Sequence, residues 1–382
     1  MTSPRDRVDA CPGALQTHTA ADGELARVRV PGGSLSAHQL RVLALASREL
    51  GDGHLEMTSR GNLQLRGLPV VHDLGDRLAD AGLLPSATHE RVRNVLASAL
   101  TGLDDEGHVN ASPWVRALDA GLVADPALAE LPGRFLVSLD DGRGDVIGLG
   151  ADVGLLALSA TEVALVLGGV DSGLRTDPGG AVDLALEAAR ALLAERAAQD
   201  SQAWRLAELD DGPARVAARL TARRGTPVEV PAAPLVGQVG AVAQPDGRTA
   251  LVGVVPLGRL SADQAELLAE LADGVRITPW RTVVVPDLAE EAVDDAAVDL
   301  FRTGFVFDES SPWLQVTTCA GRPGCAKSLA DVRADAGAAV TAGRLPADGA
   351  RQHWAGCGRR CGRPAGALDV VATGDGYTIG AV

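Results

Sequence analysis

Lysine is almost missing from this 382-residue chain: Lys327 is the only one, so nearly all of the 35 basic residues are arginine. In such a chain the mere presence of an arginine does not mark a forked, planar recognition site. Aromatic residues make up 3% of the sequence, and the five cysteines are too few to staple a chain of this size with disulfides. Long hydrophobic runs are lacking as well. The most apolar region, 154–170, is broken by Ser159, Thr161 and Glu162, which argues against a membrane span there. The opening MTSPRDRVDACPG has no apolar stretch of the signal-peptide kind. The chain therefore reads as a cytoplasmic protein. Positive charge is in deficit too: the formal net charge of -15 has the wrong sign for a nucleic-acid binder. An anionic ligand would have to meet a local group of arginines. What the chain does have is 46% hydrophobic residues, enough to build the cores of two or three domains.

An internal repeat organises the sequence. Residues 30–39 read VPGGSLSAHQ and residues 255–264 read VPLGRLSADQ, 225 positions apart. Each is followed by a helix-periodic stretch opening on a serine cap, Ser36 or Ser261. A strand-like segment comes next, LEMTSRGNLQL from Leu55 and VRITPWRTVVV from Val275, now 220 positions apart. Strands at 25–30 and 249–255 precede the two turns, so each half is a split α+β unit. Further strands are expected at 135–139, 154–158 and 162–167, with a helix over 181–198. The stretch GLGADVG from Gly148 contains G-x-G without the helix and acidic residue of a dinucleotide site, and reads as a hairpin turn.

Four cysteines sit in two close pairs: Cys319 and Cys325 in C-x5-C, and Cys357 and Cys361 in C-x3-C. Soft thiolates select iron-sulfur clusters or zinc over hard cations. Structural zinc pairs usually lie two to four residues apart, so the wider spacer favours a 4Fe-4S cluster, with zinc and plain reduced thiols as the alternatives. His353, four residues before Cys357, would join a zinc set; such a histidine more often packs in a core. Cys11 reads as a loop thiol without a role.

These cysteine spacings and the two related halves resemble the sulfite/nitrite reductase superfamily over nearly the whole chain. ACPG at Ala10, RVRVPGG at Arg27, TSRGNLQLRGL at Thr58, TPWR at Thr278 and CAGRPGCA at Cys319 are similar to the precorrin-3B synthases within it. The resemblance implies an α+β fold of two homologous halves, with ferredoxin-like half-domains packed together plus two larger α+β sulfite-reductase-type domains. It divides the chain into a first half-domain (1–78), an α+β domain (79–209), a linker (210–234), a second half-domain (235–300) and a cluster domain (301–382). It implies a cobalamin-pathway monooxygenase that hydroxylates precorrin-3A with dioxygen and closes a lactone to give precorrin-3B. Electrons would come from a separate electron-donor reductase or from NADH, and NADH would act through such a reductase, since no other nucleotide site is visible in the sequence. A siroheme-dependent sulfite or nitrite reductase is the alternative. A mononuclear non-haem iron is a further expectation, and no 2-His-1-carboxylate spacing places it.

Carried over by position, Cys319, Cys325, Cys357 and Cys361 hold the cluster, and Arg60 and Gln64 hold tetrapyrrole carboxylates through charge-assisted or amide hydrogen bonds. With Asn62 and Arg66 they alternate along what reads as one strand, and so share one face. The reductases' anion-binding set maps onto Arg27, Arg93 and Arg134, while its fourth member, a lysine, corresponds to Leu136. Losing that cation argues against reduction of a small oxyanion. Arg359 and Arg360 crowd the last cysteine pair, where relatives place a small residue before the final cysteine. In the second half Trp280 stands in the place of Arg60 and Val284 in that of Gln64, which implies one tetrapyrrole per chain.

Overall fold

The structure, a computed structural model, describes residues 9, 11–346 and 349–380. Ala10 of the ACPG motif lies outside them.

The first half runs β1 (His18–Ala20), β2 (Gly23–Val28), β3 (Ser34–Ser36), α1 (Ala37–Leu50), β4 (His54–Met57), β5 (Leu63–Leu68) and α2 (Leu74–Asp80). A central domain follows with β6 (Val95–Ala97), α3 (Ser112–Ala124), β7 (Val137–Asp140), β8 (Val153–Ser159), β9 (Glu162–Leu167), β10 (Val170–Thr176), α4 (Ala181–Ala198), α5 (Gly212–Ala218) and β11 (Arg223–Arg224). The second half repeats the first as β12 (Gly240–Ala243), β13 (Thr249–Val254), β14 (Arg259–Ser261), α6 (Ala262–Leu271), β15 (Gly274–Ile277) and β16 (Thr282–Leu288), closed by α7 (Val293–Arg302). The cysteine-bearing segment adds β17 (Val316–Thr318), α8 (Val332–Thr341), β18 (Gln352–Ala355), β19 (Leu368–Ala372) and β20 (Tyr377–Gly380).

Both repeat helices start as their sequences require. Ser36 and Ser261 accept the N–H of Gln39 and Gln264, whose side chains reach back to the serine N–H, so each helix opens on a complete capping box. The short strand before each helix crosses to the other half. β3 pairs with β15, Leu35 opposite Val275, and β14 pairs with β4, Leu260 opposite Leu55. The two resulting five-stranded sheets, β1-β2-β5-β4-β14 and β12-β13-β16-β15-β3, are each completed by the other half. Their inner faces and the helices α1 and α6 form one core, with Leu40, Leu43, Leu55 and Leu63 beside Leu260, Leu268 and Val283. Separating the halves would expose that core and open two sheet edges.

The two segments that read as single strands are each two strands around a tight turn. Thr58 Oγ1 accepts the N–H groups of Arg60 and Asn62 at 3.3 and 3.2 Å, and Thr278 Oγ1 accepts those of Trp280 and Thr282 at 3.2 and 3.3 Å. The same threonine-centred turn is thus built twice. GLGADVG is not a hairpin turn either: β6, β7 and β8 run parallel, so the segment belongs to a crossover. The 210–234 stretch is not bare connection, because α5 buries Val216 and Ala217 in the central core and β11 pairs with β10.

Candidate functional site

Register places one polar row across the outer face of the first sheet. Arg27 on β2 stands opposite Gln64 on β5, Gln64 opposite Glu56 on β4, and Glu56 opposite Arg259 on β14. Directly paired residues share a face, and this face meets the cysteine-bearing segment. Gln64 joins the row: its amide donates to Glu56 at 2.6 Å and accepts from Arg27 Nη2 at 3.3 Å. Glu56, 5% exposed, also takes Arg333 of α8, with the guanidinium groups of Arg66 and Arg259 4.0 Å away. The corresponding row of the second sheet is Val252, Val284, Arg276 and Ser34. Its apolar members are covered by Leu100 and Leu103.

Arginine gathers at the head of the first row. Arg27 Nη1 donates to Cys11 Sγ at 3.2 Å, and Arg29, two residues further along β2, approaches the same sulfur at 3.7 Å. Arg29 is 2% exposed, and its other hydrogen bonds go to the main-chain carbonyls of Arg91 and Pro12. Burial, reinforced by the Arg27 charge, pulls its pKa down to about 10. Arg60 rides on the Thr58 turn and donates to the Arg134 carbonyl at 3.1 Å. Burial, then the Arg205 charge, brings its pKa to about 10 as well. Among the described residues no carboxylate forms an ion pair with Arg27, Arg29 or Arg60. Arg27 Nε and Arg29 Nη1 are buried without a hydrogen-bond partner.

One carboxylate gathers three successive N–H groups of the segment that follows Cys11. Glu90 accepts the N–H groups of Ala14, Leu15 and Gln16 at 2.7, 2.6 and 3.1 Å. A Glu90→Ala variant is expected to lose about 1–2 kcal/mol, since three donors lose a charged acceptor. Hydrogen exchange should rise first at residues 14–16; unchanged protection there would contradict this role.

Several expected site residues have other work. Asn62 is 1% exposed and joins the central domain to the β2 turn: its Oδ1 accepts from the Val30 N–H and its Nδ2 donates to Asn94. It precedes β5 and does not share the Gln64 face. Arg66 forks onto Asp22 with two bonds of 3.0 Å and donates to the Gly324 carbonyl at 2.6 Å. It is a clamp on the Cys325 loop, with its charge neutralised. Arg93 is likewise satisfied by Asp119, at 2.7 and 2.8 Å, and by the Leu83 carbonyl. Arg134 is exposed, with its guanidinium carbon 5.1 Å from the Trp204 ring centroid. A cleft of about 970 Å³ between α1, α3 and β15 is lined by Arg29, Arg93 and Arg276, but by no cysteine and by none of Arg27, Arg60 and Gln64.

Leu136 and Trp280, two departures from the reductase pattern, belong to one apolar cluster with Leu96, Val146 and Ala151. The position that carries a lysine in the reductase pattern lies here in an apolar cluster that an indole borders.

The cysteines lie at the ends of neighbouring strands. Cys319 follows β17 and Cys357 follows β18, which runs parallel to it. Cys319 Sγ accepts the Gly356 N–H at 3.2 Å, and a Cβ on Gly356 would come 1.8 Å from Ser328 Oγ, so only glycine brings that N–H to the sulfur. Burial raises the pKa of Cys361, and the charges of Cys319, Cys357 and Cys325 raise it further, so the other three thiols lie within electrostatic reach of Cys361. Among the described residues no three His, Cys, Asp or Glu side chains stand at single-ion spacing. A cubane does not require it, because each thiolate holds a different iron. Donor type, N–H···S bonding and mutual proximity all fit a four-thiolate cluster. His353 is fully buried with Nδ1 2.9 Å from Thr317 Oγ1. Burial and then the Arg281 charge lower its pKa to about 4. Arg360 adopts a left-handed backbone, φ 48°, and lies 2.8 Å from Asp369, while Cys361 is exposed.

The family described as the nitrite/sulfite reductase ferredoxin-like half domain matches residues 18–72 and 242–300. Those are the two halves that exchange β3 and β14. The chain is built on this half-domain, used twice. Over its full architecture it is similar to the Mycobacterium tuberculosis NirA protein, with a TM-score of 0.75 at 20% identity, covering 94% of this chain and 73% of that one. A precorrin-3B synthase of Sinorhizobium is 29% identical over 98% of this chain and 82% of its own length. A ferredoxin-nitrite reductase of Synechococcus elongatus is 27% identical over 89% of this chain and 74% of its own. The resemblance read from the motifs therefore stands: over most of its length the chain is similar to oxidoreductases, and it carries the half-domain of the nitrite/sulfite reductases twice. No helix among the described residues is long and apolar enough to cross a membrane.

Two features were missed in the sequence. Arg29 was detectable, because it alternates with Arg27 on β2 and so shares its face. Glu56 had no such signal, since its importance comes from side chains on β5, β14 and α8.

Proposed function

We propose that this chain is a precorrin-3B synthase-like monooxygenase that uses dioxygen and reducing equivalents from a separate reductase. One observation carries the reading. Arg27 and Arg29 gather at Cys11 and Arg60 stands near them, none with an ion-paired carboxylate among the described residues, at the head of the polar row whose Glu56 reaches Arg333 of the cysteine-bearing segment. A substrate with acetate and propionate groups supplies the missing anions, and guanidinium-carboxylate pairing is short and directional. The apolar cluster of Leu136, bordered by Trp280, supports the same reading, because a small oxyanion needs dense positive charge where this chain has apolar side chains.

Cys319, Cys325, Cys357 and Cys361 would hold a 4Fe-4S cluster, which when bound supplies one-electron transfer. The chain's own residues bind and orient the substrate. Arg27 and Arg60 take carboxylates, the Arg134 carbonyl steadies Arg60, and Gln64 fixes Arg27 through its amide oxygen. Arg66 anchors the Cys325 loop against the first sheet and so sets the distance between substrate face and cluster. A siroheme-dependent reductase is the second reading, favoured by the exposure of Cys361 and by Arg360 being drawn onto Asp369.

Metal, sulfide and optical analysis of protein purified without air tests both. About four irons and four sulfides without a Soret-type band is the expected result; such a band would favour the reductase, and zinc alone would refute both. In the loaded protein Arg60→Ala should keep the iron and sulfide yet bind precorrin-3A roughly tenfold more weakly, the loss of one charge-assisted contact. Unchanged affinity would remove Arg60 from the substrate face.

A further inference from the structure

Cys11, to which the sequence assigns no role, lies against β2 at the head of the polar row. Each residue of its CPG stretch hands that strand an acceptor. Cys11 Sγ takes Arg27 Nη1 at 3.2 Å, the Pro12 carbonyl takes Arg29 Nη2 at 3.2 Å, and the Gly13 carbonyl takes the Arg27 N–H at 2.8 Å. Glycine is required at 13, because a Cβ there would come 2.4 Å from Glu90 Cδ, the carboxylate that gathers the next three N–H groups. The stretch is therefore laid along β2 so that the side chain it turns to the arginines is a thiol.

That thiol occupies a place that calls for an anion. Arg29, 2% exposed, also points Nη2 at the sulfur from 3.7 Å. Arg29 Nη1 and Arg27 Nε are buried without a hydrogen-bond partner, and among the described residues no carboxylate forms an ion pair with either guanidinium. Asp9, two residues before Cys11, turns Oδ1 to the Cys11 N–H at 3.0 Å. Burial, then the charges of Arg27 and Arg60, draws the Arg29 pKa down to about 10, and Cys11 is the group that opposes them. A thiol sulfur is a weak acceptor, and here it leaves two buried donors unserved. A carboxylate brings two oxygens with about four acceptor sites, and its bonds to guanidinium groups are short and charge-assisted.

We propose that Cys11, Arg27 and Arg29 form one carboxylate subsite, in which the thiol bridges the two guanidinium groups while the site is empty and gives way to one carboxylate arm of the tetrapyrrole. The ligand named here rests on the proposed function, whereas the subsite rests on the geometry around the sulfur. With the other four cysteines holding the cluster, Cys11 is the single free thiol of the five in the loaded chain. Cys11 is also partly exposed, so a small reagent can probe it. An α-halo carboxylate is such a reagent. Its carboxylate is held by the arginines while its carbon meets the sulfur: the Sγ–C bond forms, the C–I bond breaks, iodide leaves and the thiol proton passes to water.

The test compares iodoacetate with uncharged iodoacetamide on the anaerobically purified, cluster-loaded full chain, with iron and sulfide measured throughout and the label located by mass spectrometry. The iodoacetate-to-iodoacetamide rate ratio at Cys11 is expected to exceed that of free N-acetylcysteinamide by about tenfold or more, because fixed positive charge concentrates the anion at the sulfur. In Arg27→Gln the ratio should fall back toward that of the free thiol, and saturating precorrin-3A should suppress the wild-type labelling. A wild-type ratio equal to that of the free thiol would overturn the proposal. So would a raised ratio that Arg27→Gln leaves unchanged, or failure of both reagents to label Cys11 at full iron and sulfide. A raised ratio without protection by precorrin-3A would uphold the subsite and refute the tetrapyrrole as its ligand.

Discussion

Glu56→Ala is expected to destabilise the protein by about 3–5 kcal/mol, the range for removing one partner of a buried ionic network. Glu56 is 5% exposed and accepts from Gln64 and Arg333, with Arg66 and Arg259 at 4.0 Å. Its removal leaves Arg333 without its anion at the junction, whereas Arg66 keeps Asp22 and Arg259 keeps Asp52. Three parts of the molecule meet at this carboxylate: β4 of the first half, β14 of the second and α8 of the cysteine-bearing segment. The loss should therefore appear as a lower denaturant midpoint together with early proteolysis of residues after 301. Glu56→Gln, which keeps the shape and one acceptor, should fall between the two. A midpoint for Glu56→Ala within error of wild type would show that the junction is held by packing alone.

The elements easiest to read in the sequence were those specified by neighbouring residues. SLSAHQ and LSADQ contain a complete capping box within four positions, so the starts of α1 and α6 could be read to the residue. The 181–198 helix and the 162–167 strand were equally local. Partner choice was not. The alternation that makes 34–36 and 259–261 strands is indifferent to which half supplies the neighbouring strand, so the exchange across the pseudo-symmetric core had no local signature. The Thr58 turn was missed for a related reason. LEMTSRGNLQL alternates well enough to pass for one strand, and the deciding feature is a hydroxyl accepting two N–H groups.

The same division holds for the site. The cysteine pairs declare themselves by spacing, and Arg27, Arg60 and Gln64 by motif. Whether an arginine is available to a ligand depends on carboxylates distant in sequence, and that is where Arg66 and Arg93 depart from expectation. Asp22 and Asp119 neutralise them, while Arg29, two residues from Arg27, is left unpaired. In a chain whose base is nearly always arginine, partner geometry separates functional from structural residues better than residue type does. Leu136 and Trp280 make the point in reverse: each was a separate departure from the pattern, and the fold brings them to one apolar cluster.

Asp145→Asn is expected to stabilise the protein at pH 8 and to change little at pH 4. Burial, and next the charge of Asp140, raises the Asp145 pKa from 3.8 to about 7, against the opposing hydrogen bond from Ser98. A carboxyl whose pKa is higher in the folded than in the unfolded chain binds its proton more tightly when folded. Its contribution is intact below about pH 4, is lost progressively as pH climbs, and is gone above pH 7. At 1.36 kcal/mol per unit the full penalty is about 4 kcal/mol. Asp145 keeps partial access to water, which brings the expected gain nearer about 2 kcal/mol. Asparagine retains an oxygen that can accept from Ser98 Oγ, now 2.6 Å from Asp145, and carries no charge to bury. Denaturant midpoints of wild type and variant should therefore converge at pH 4 and separate at pH 8. A gap of equal size at both values would mean that the substitution acts through packing, and a gap larger at pH 4 would reverse the sign of the linkage.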